Sequence, residues 1–339
     1  MKKRLSLAIL FIFATFLAGC SSTTTKQEAQ TDDSKEKLMV YTTVYALEDF
    51  TKKIGGDFVD VKTVYPPGTD EHSFEPSQKD IIGMAQSDLF FYIGHNLEGF
   101  VNKSKSILED EGTKVVAVGE KIELAHSNHG SADTTDDHTH DGDATADEHD
   151  HAHDRDAAAA EHNHDHGGVD PHIWIDPVYA AQMAEIIKDE LSEKMPAQAD
   201  YFQKQYEALS AKLTNLDSQF AETISTAKSK KLIVSHAAYG YWEKRYGLEQ
   251  ISVSGISASE PSQKQLENIV KTAKDNGIQY IIYEQNISSK LTKIIQDEIG
   301  AKALKLHNLS VLTDNDISNK EDYFSIMEKN LATLKTALN

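Results

Sequence analysis

The chain has 339 residues, enough for roughly two domains at ~150 residues each, and 39% of them are hydrophobic, so wholesale disorder is excluded. Fifty-four acidic residues against 34 basic ones leave a formal charge of −20. That balance argues against a phosphate-backbone partner, and nucleic-acid binding drops out.

In chain order, Lys2, Lys3 and Arg4 precede an apolar run over 5–18, which predicts an export signal over 1–19, too short to span a bilayer comfortably. The run ends Leu17-Ala18-Gly19-Cys20, which resembles the lipobox of bacterial lipoproteins, so Cys20 is the expected lipidation site and the membrane is met through a lipid anchor. Residues 20–37 have nothing to bury and read as a flexible tether. Cys20 is the only cysteine, so no internal disulfide is available and the exported fold must rest on its core.

From 38 onward, short β-rich runs alternate with helical periodicity, the pattern of an α/β architecture with mainly parallel strands. Strands are predicted near 38–43, 58–64, 88–92 and 114–118, with helices near 45–54, 78–86 and 97–107. They form a first lobe over 38–196, a four-stranded sheet with flanking helices. Asp176-Pro177 places an N-cap before a proline at the first helical position, opening a helix to about 193. Beyond Pro196, Phe202, Tyr206, Leu209, Leu213, Leu216, Phe220 and Ile224 recur at steps of mostly four and three. This predicts one helix over 197–226, and thirty residues would reach ~45 Å, enough to join two lobes. A second series follows over 227–339, with strands near 231–235, 249–253, 279–283 and 303–307 and helices near 237–246, 262–275, 289–299 and 322–337.

The acidic excess is uneven. Residues 126–168 hold twelve Asp or Glu and one Arg, a net of −11, together with ten of the fifteen histidines. With almost no apolar content this insert cannot pack, and it is expected to be a disordered loop unless metal orders it. Its His138, His140, His149, His151, His153, His162, His164 and His166 predict weak, labile metal binding beside a solvated charge run.

In open α/β sheets, ligands bind beyond the carboxyl ends of the strands, so polar residues directly after strand runs stand out. His236 ends the run Leu232-Ile233-Val234-Ser235, and Glu284 ends Tyr280-Ile281-Ile282-Tyr283. His72 is presented by the turn-rich loop after Val64, and His172 lies just ahead of the helix start at Asp176. Three imidazoles and a carboxylate suit the tetrahedral inner shell of Zn²⁺.

The segments Glu71-His72-Ser73-Phe74-Glu75-Pro76-Ser77, Asp170-Pro171-His172-Ile173-Trp174-Ile175-Asp176-Pro177, Ser235-His236-Ala237-Ala238-Tyr239-Gly240-Tyr241 and Tyr283-Glu284-Gln285-Asn286-Ile287-Ser288-Ser289-Lys290 resemble the zinc-specific solute-binding lipoproteins of bacterial ABC importers. That family sits in a wider zinc/manganese-binding group whose two lobes are joined by a rigid helix. The resemblance runs from about residue 38 to the C-terminus. It implies that His72, His172 and His236 are metal ligands and that Glu284 supplies or guards the fourth position. It also implies an extracytoplasmic monomer on the outer face of the membrane, delivering Zn²⁺ to an ABC permease and its ATPase. In manganese members the positions matching His236 and Glu284 are usually Glu and Asp, and a nitrogen-rich shell suits Zn²⁺ better than Mn²⁺. Many relatives carry Pro before the first His, where this chain has Glu71.

Glu75 reads either as an acceptor orienting His72 or as part of a surface turn. His307 is expected to be a packed histidine, His95 a surface one, and Trp174, Tyr239 and Tyr241 packing residues. The alternatives are a manganese-transport protein of the same group and a zinc hydrolase. Against the hydrolase, no His-Glu-x-x-His pattern occurs and Glu284 would close the open coordination position, so no enzyme is expected. A surface adhesin would use the same fold. Metal affinity is expected to fall as pH drops through ~6.5, the ordinary histidine value.

Overall fold

The computed structural model describes residues 37–124, 169–285 and 289–339. The signal over 1–19, Cys20, all of the tether before Lys37, the ten histidines of 126–168 and the motif residues Asn286, Ile287 and Ser288 lie outside the described residues.

Eight strands form two parallel four-stranded sheets. The first contains β1 (Leu38–Thr42), β2 (Val59–Thr63), β3 (Leu89–Tyr92) and β4 (Lys114–Ala117), in the order β2-β1-β3-β4. Val40 pairs with both Val61 and Leu89. The second contains β5 (Lys231–His236), β6 (Glu249–Ser254), β7 (Tyr280–Glu284) and β8 (Lys302–Leu306), in the order β6-β5-β7-β8. Buried strands of parallel sheets have helices on both faces and therefore read as continuous apolar runs. All four residues of β3 are buried, as are the last five of β5. In each sheet the strand order reverses beside the first strand, between β1 and β3 and again between β5 and β7. Such reversals open a crevice at the carboxyl ends.

Helices α1 (Tyr45–Gly55), α2 (Gln78–Ala85) and α3 (Val101–Asp110) connect the first sheet. Helix α3 starts four residues later than the periodicity predicts. Gly94, His95 and Asn96 have φ of 86°, 51° and 63°, a left-handed turn that no helix can contain. The turn is held by the buried Glu98 carboxylate, which accepts from the backbone N–H of Ile93 (2.9 Å) and of Gly94 (3.0 Å). His95, expected at the surface, is half-buried, with Nε2 3.1 Å from the Gly119 carbonyl.

Helix α4 (Pro177–Lys194) begins where its cap predicts. Asp176 accepts from the N–H groups of Val178 (2.9 Å) and Tyr179 (3.2 Å). Helix α5 (Ala199–Ser225), 27 residues long, packs on α1 and α4 on one side of the molecule. Beyond it come α6 (Gly240–Tyr246), α7 (Gln263–Asp275), α8 (Lys290–Ile299), α9 (Asp314–Ser318) and α10 (Tyr323–Ala337), of which α6 and α10 also touch α5. The five residues of α9 are too few to show a period, and only the Thr313/Asp316 capping box marks them.

One apolar core runs through both sheets. Phe50, Phe90 and Trp174 belong to the same buried cluster as Leu232, Trp242, Leu306 and Tyr323. A smaller cluster, including Ile233, Val253, Ile269 and Ile295, joins the second sheet to α7 and α8. Polar ties cross the junction as well: Arg245 Nε meets Asp176 Oδ2 at 2.5 Å, and the N–H of Tyr45 donates to the Ser310 carbonyl at 2.7 Å.

Trp242 is central to this continuity. It is fully buried, lies 5.0 Å from the Phe220 ring of α5, and donates from Nε1 to the Ile175 carbonyl at 2.8 Å. Trp242→Ala is expected to cost about 3–5 kcal/mol of stability through the cavity it leaves, measured by urea denaturation. A change under ~1 kcal/mol would mean that the junction repacks freely.

Candidate metal centre

Each sheet delivers polar side chains to the crevice from its carboxyl end. His236 is the last residue of β5 and Glu284 the last of β7, adjacent strands at the reversal of the second sheet. His72 comes from the loop between β2 and α2, and His172 from the segment leading into α4.

The three imidazoles converge. Ring centroids lie 5.3 Å apart for His72 and His172, 5.1 Å for His72 and His236, and 4.9 Å for His172 and His236. One nitrogen from each ring falls within 4.8 Å of the other two. His172 and His236 are 0% and 2% exposed, and His72 is half-buried.

Two of the loops use the same local device. Asp70 accepts the backbone N–H of His72 at 3.0 Å, and Asp170 accepts that of His172 at 3.0 Å. An aspartate two residues ahead folds each loop into a tight turn that projects the histidine. Asp170 also accepts from Nδ1 of His172 at 2.8 Å, which fixes the tautomer and turns the Nε2 lone pair inward. Gly240 permits this: a Cβ there would sit 2.6 Å from the other Asp170 oxygen. Tyr241, on the same turn, donates to the Asp170 carbonyl at 2.6 Å, and Trp174 donates to that of Asn308 at 2.6 Å. Both tie the His172 segment to the second lobe in addition to packing.

His236 and Glu284 form a buried pair, Nδ1 to Oε1 at 2.9 Å, while Nε2 of the ring meets the Ile256 carbonyl at 2.9 Å. Burial opposes the charged ring, but the Glu284 carboxylate and the Ile256 carbonyl outweigh it and hold His236 up to about 9. Burial likewise works against the charge of Glu284, yet the same pairing keeps its carboxyl below the ordinary value. His72 is pushed the other way, down to about 3, first by burial and then by the two neighbouring imidazoles. Neutral His72 and charged His236 thus stand side by side.

Four buried atoms here, His72 Nε2, His172 Nε2, Glu71 Oε2 and Glu284 Oε2, have no hydrogen-bond partner. Orphaned buried polar atoms are costly, and lone pairs of this kind suit a shared cation.

The structure therefore brings His72, His172 and His236 together, with Glu284 joined to them through His236. Glu75 is elsewhere. Its side chain is 64% exposed and pairs with Lys103 at 3.4 Å, so the surface-turn reading holds and the orienting one does not: the loop turns about Asp70 instead. His307 is packed, accepting the Leu309 N–H at 2.9 Å and lying 3.3 Å from Asp316. Sequence reasoning assigned no role to Glu71, Asp170 or Asn308. Glu71 is 2% exposed, and burial together with the nearby Glu284 charge raises its carboxyl. The repeated Asp-x-His spacing would have signalled Asp170, and Asn308 carries only the cue of following a strand.

The family described as zinc-uptake complex component A, periplasmic, matches residues 40–337. The zinc-binding lipoprotein AdcA of Streptococcus pneumoniae is 34% identical over 335 residues, covering 98% of this chain and 60% of that protein. The high-affinity zinc uptake system protein ZnuA of Bacillus subtilis is 32% identical over 333 residues, 97% of each chain. Among solved structures, the Zn(II)-bound ZnuA-like domain of the pneumococcal AdcA superposes with a TM-score of 0.68 at 32% identity, covering 89% of this chain and 99% of that one. The chain thus spans about three fifths of the streptococcal relative and nearly all of the Bacillus one.

Proposed function

Because the chain belongs to the zinc-uptake complex component A family, we propose that it is the extracytoplasmic solute-binding component of an ABC importer, capturing Zn²⁺ between two lobes and delivering it to the permease. The observation that carries this reading is the convergence of three imidazole nitrogens within 4.8 Å of one another where the two sheets meet. His72, His172 and His236 serve as ligands and Glu284 as the fourth donor, a nitrogen-rich set that favours Zn²⁺ over Mn²⁺. The ion is cargo, and the chain performs no chemistry on it.

Lobes over 38–196 and 227–339, with the helix over 197–226 between them, hold the ion from both sides. The continuous core and the ion pair between the buried Asp176 and the partly exposed Arg245 support a modest rearrangement on metal release rather than wide hinge opening. Release then requires the permease to unseat a ligand, its ATPase supplying the work. The protein is a monomer tethered through a lipid on Cys20 after removal of 1–19, a reading supported by the Leu17-Ala18-Gly19-Cys20 motif behind an apolar run. The histidines of 126–168 gather zinc weakly and hand it on.

Metal analysis of protein lacking 126–168 tests the proposal. One zinc per chain is expected after purification in zinc-containing buffer and desalting. A metal-free product, or one holding manganese when both ions are offered equally, overturns it.

A further inference from the structure

Asn308 lies just past β8, has no exposed surface, and touches segments that carry three of the four proposed donors. Its side-chain Oδ1 accepts from the Ser310 N–H (3.0 Å), the Ser310 hydroxyl (2.8 Å) and Gln285 Nε2 (2.8 Å). Three donors on one side determine which end of the amide faces the centre. Nδ2 therefore turns inward, donating to Glu284 Oε1 at 3.2 Å and to Glu71 Oε1 at 2.9 Å. The backbone is pinned too, its N–H donating to Gln285 Oε1 at 3.0 Å and its carbonyl accepting from Trp174 Nε1 at 2.6 Å.

These bonds divide each carboxylate into two unlike oxygens. Oε1 of Glu284 accepts from both Asn308 and His236, which occupies its two lone pairs, while Oε2 is buried without a partner. Glu71 repeats the pattern, with Oε1 on Asn308 and Oε2 unpartnered.

We propose that Asn308 is a positioning residue for metal selectivity: by engaging Oε1 of Glu284 and Glu71, it limits each carboxylate to one donor oxygen and keeps the centre at low coordination number. The inference rests on the reading of the three histidines and Glu284 as zinc ligands and extends it to selectivity. Zn²⁺ is satisfied by four ligands, whereas Mn²⁺ seeks octahedral, oxygen-rich surroundings that bidentate carboxylates help to supply. An amide shared between carboxylates of opposite lobes thus disfavours the competing ion without touching the metal.

The test compares wild-type protein with Asn308→Asp and Gln285→Met, using chelator competition for Zn²⁺ and Mn²⁺ and the visible spectrum of the Co²⁺ form. Asn308→Asp is nearly isosteric but turns a third carboxylate toward the other two. Gln285→Met leaves Asn308 in place and removes the two hydrogen bonds that Gln285 makes to it, one at Oδ1 and one at the backbone N–H, without changing charge. Both variants are expected to lower the Zn²⁺/Mn²⁺ affinity ratio, at least tenfold for Asn308→Asp and less for Gln285→Met, and to weaken the intense four-coordinate cobalt bands. Folded variants with the wild-type ratio and spectrum overturn the proposal, since a merely structural asparagine would alter melting temperature and not the spectrum. If Asn308→Asp fails to fold, Gln285→Met decides. Wild-type protein that binds neither zinc nor cobalt at the histidines would instead bring down the underlying reading, and the inference with it.

Discussion

Replacing His172 with Ala is expected to weaken zinc binding at least a hundredfold, while deletion of 126–168 changes it by no more than a few-fold. Zinc sites of four protein ligands bind with ~10–16 kcal/mol in all, about 3 kcal/mol per ligand, and that is roughly a hundredfold or more in Kd. His172 has no substitute at its position: it is fully buried, its Nδ1 is anchored on Asp170, and its Nε2 faces the other two rings. The Ala variant would also remove the imidazole donor of Asp170, leaving it the backbone N–H of residue 172. The insert supplies many histidines, but its sequence has almost no apolar residues from which a packed framework could be built. Competition against a chelator of known affinity measures both variants on one scale. The reverse ranking, with the deletion more damaging than the point change, would move the principal site into the insert.

The second large effect is on pH. The buried pair holds His236 up to about 9, so below that value its ring carries a proton that must leave before a nitrogen can bind metal. His72, pushed down to about 3, is already neutral and offers no competition above the acidic range. Apparent zinc affinity should therefore rise by about tenfold per pH unit across neutrality, roughly a hundredfold from pH 6 to pH 8, and level off near pH 9. This moves the window above the ~6.5 expected for an unperturbed histidine, because a buried carboxylate stabilises the imidazolium. Titrations at pH 6, 7 and 8 measure the slope, and calorimetry in buffers of different ionisation enthalpy counts the proton released, expected to be about one per zinc at pH 7. A profile that flattens above pH 6.5 would show that His236 is neutral before the metal arrives.

The two effects share a structural origin. On the proposed reading, burial of the centre leaves no substitute for a lost ligand, and it also sets His236 and Glu284 as a charge pair. A carboxylate at the end of β7 faces a histidine at the end of β5, so each offsets part of the other's burial cost, and on the proposed reading the cation takes the place of the proton held between them. Permease docking would release the ion more readily by disturbing this pair than by opening the shared core.

Much of the architecture is legible in the chain. Strand runs such as Leu89–Tyr92 and Lys231–His236 are apolar because both faces of a parallel sheet are covered, and Asp176-Pro177 marks a helix start through local capping alone. The convergence of His72, His172 and His236 was anticipated from their places at strand and helix ends. The helix start before α3 and the short α9 were not, since a buried glutamate bonding backbone amides and a five-residue capped turn leave no periodic trace.

What the sequence determined by itself is whatever depends on neighbours within a few residues: the parallel α/β alternation, the caps, the long amphipathic helix, and the residue types a zinc shell requires. Only the tertiary structure decided which carboxylates enter the centre and in what state. Glu75, three residues past His72, points to solvent, whereas Glu71 meets Asn308 across a separation of 237 residues. The reason is physical. Side-chain direction follows from local backbone turns, but burial, pKa and hydrogen-bond partnership depend on which distant segments close over a residue, and those pairings are set by the packing of the whole core.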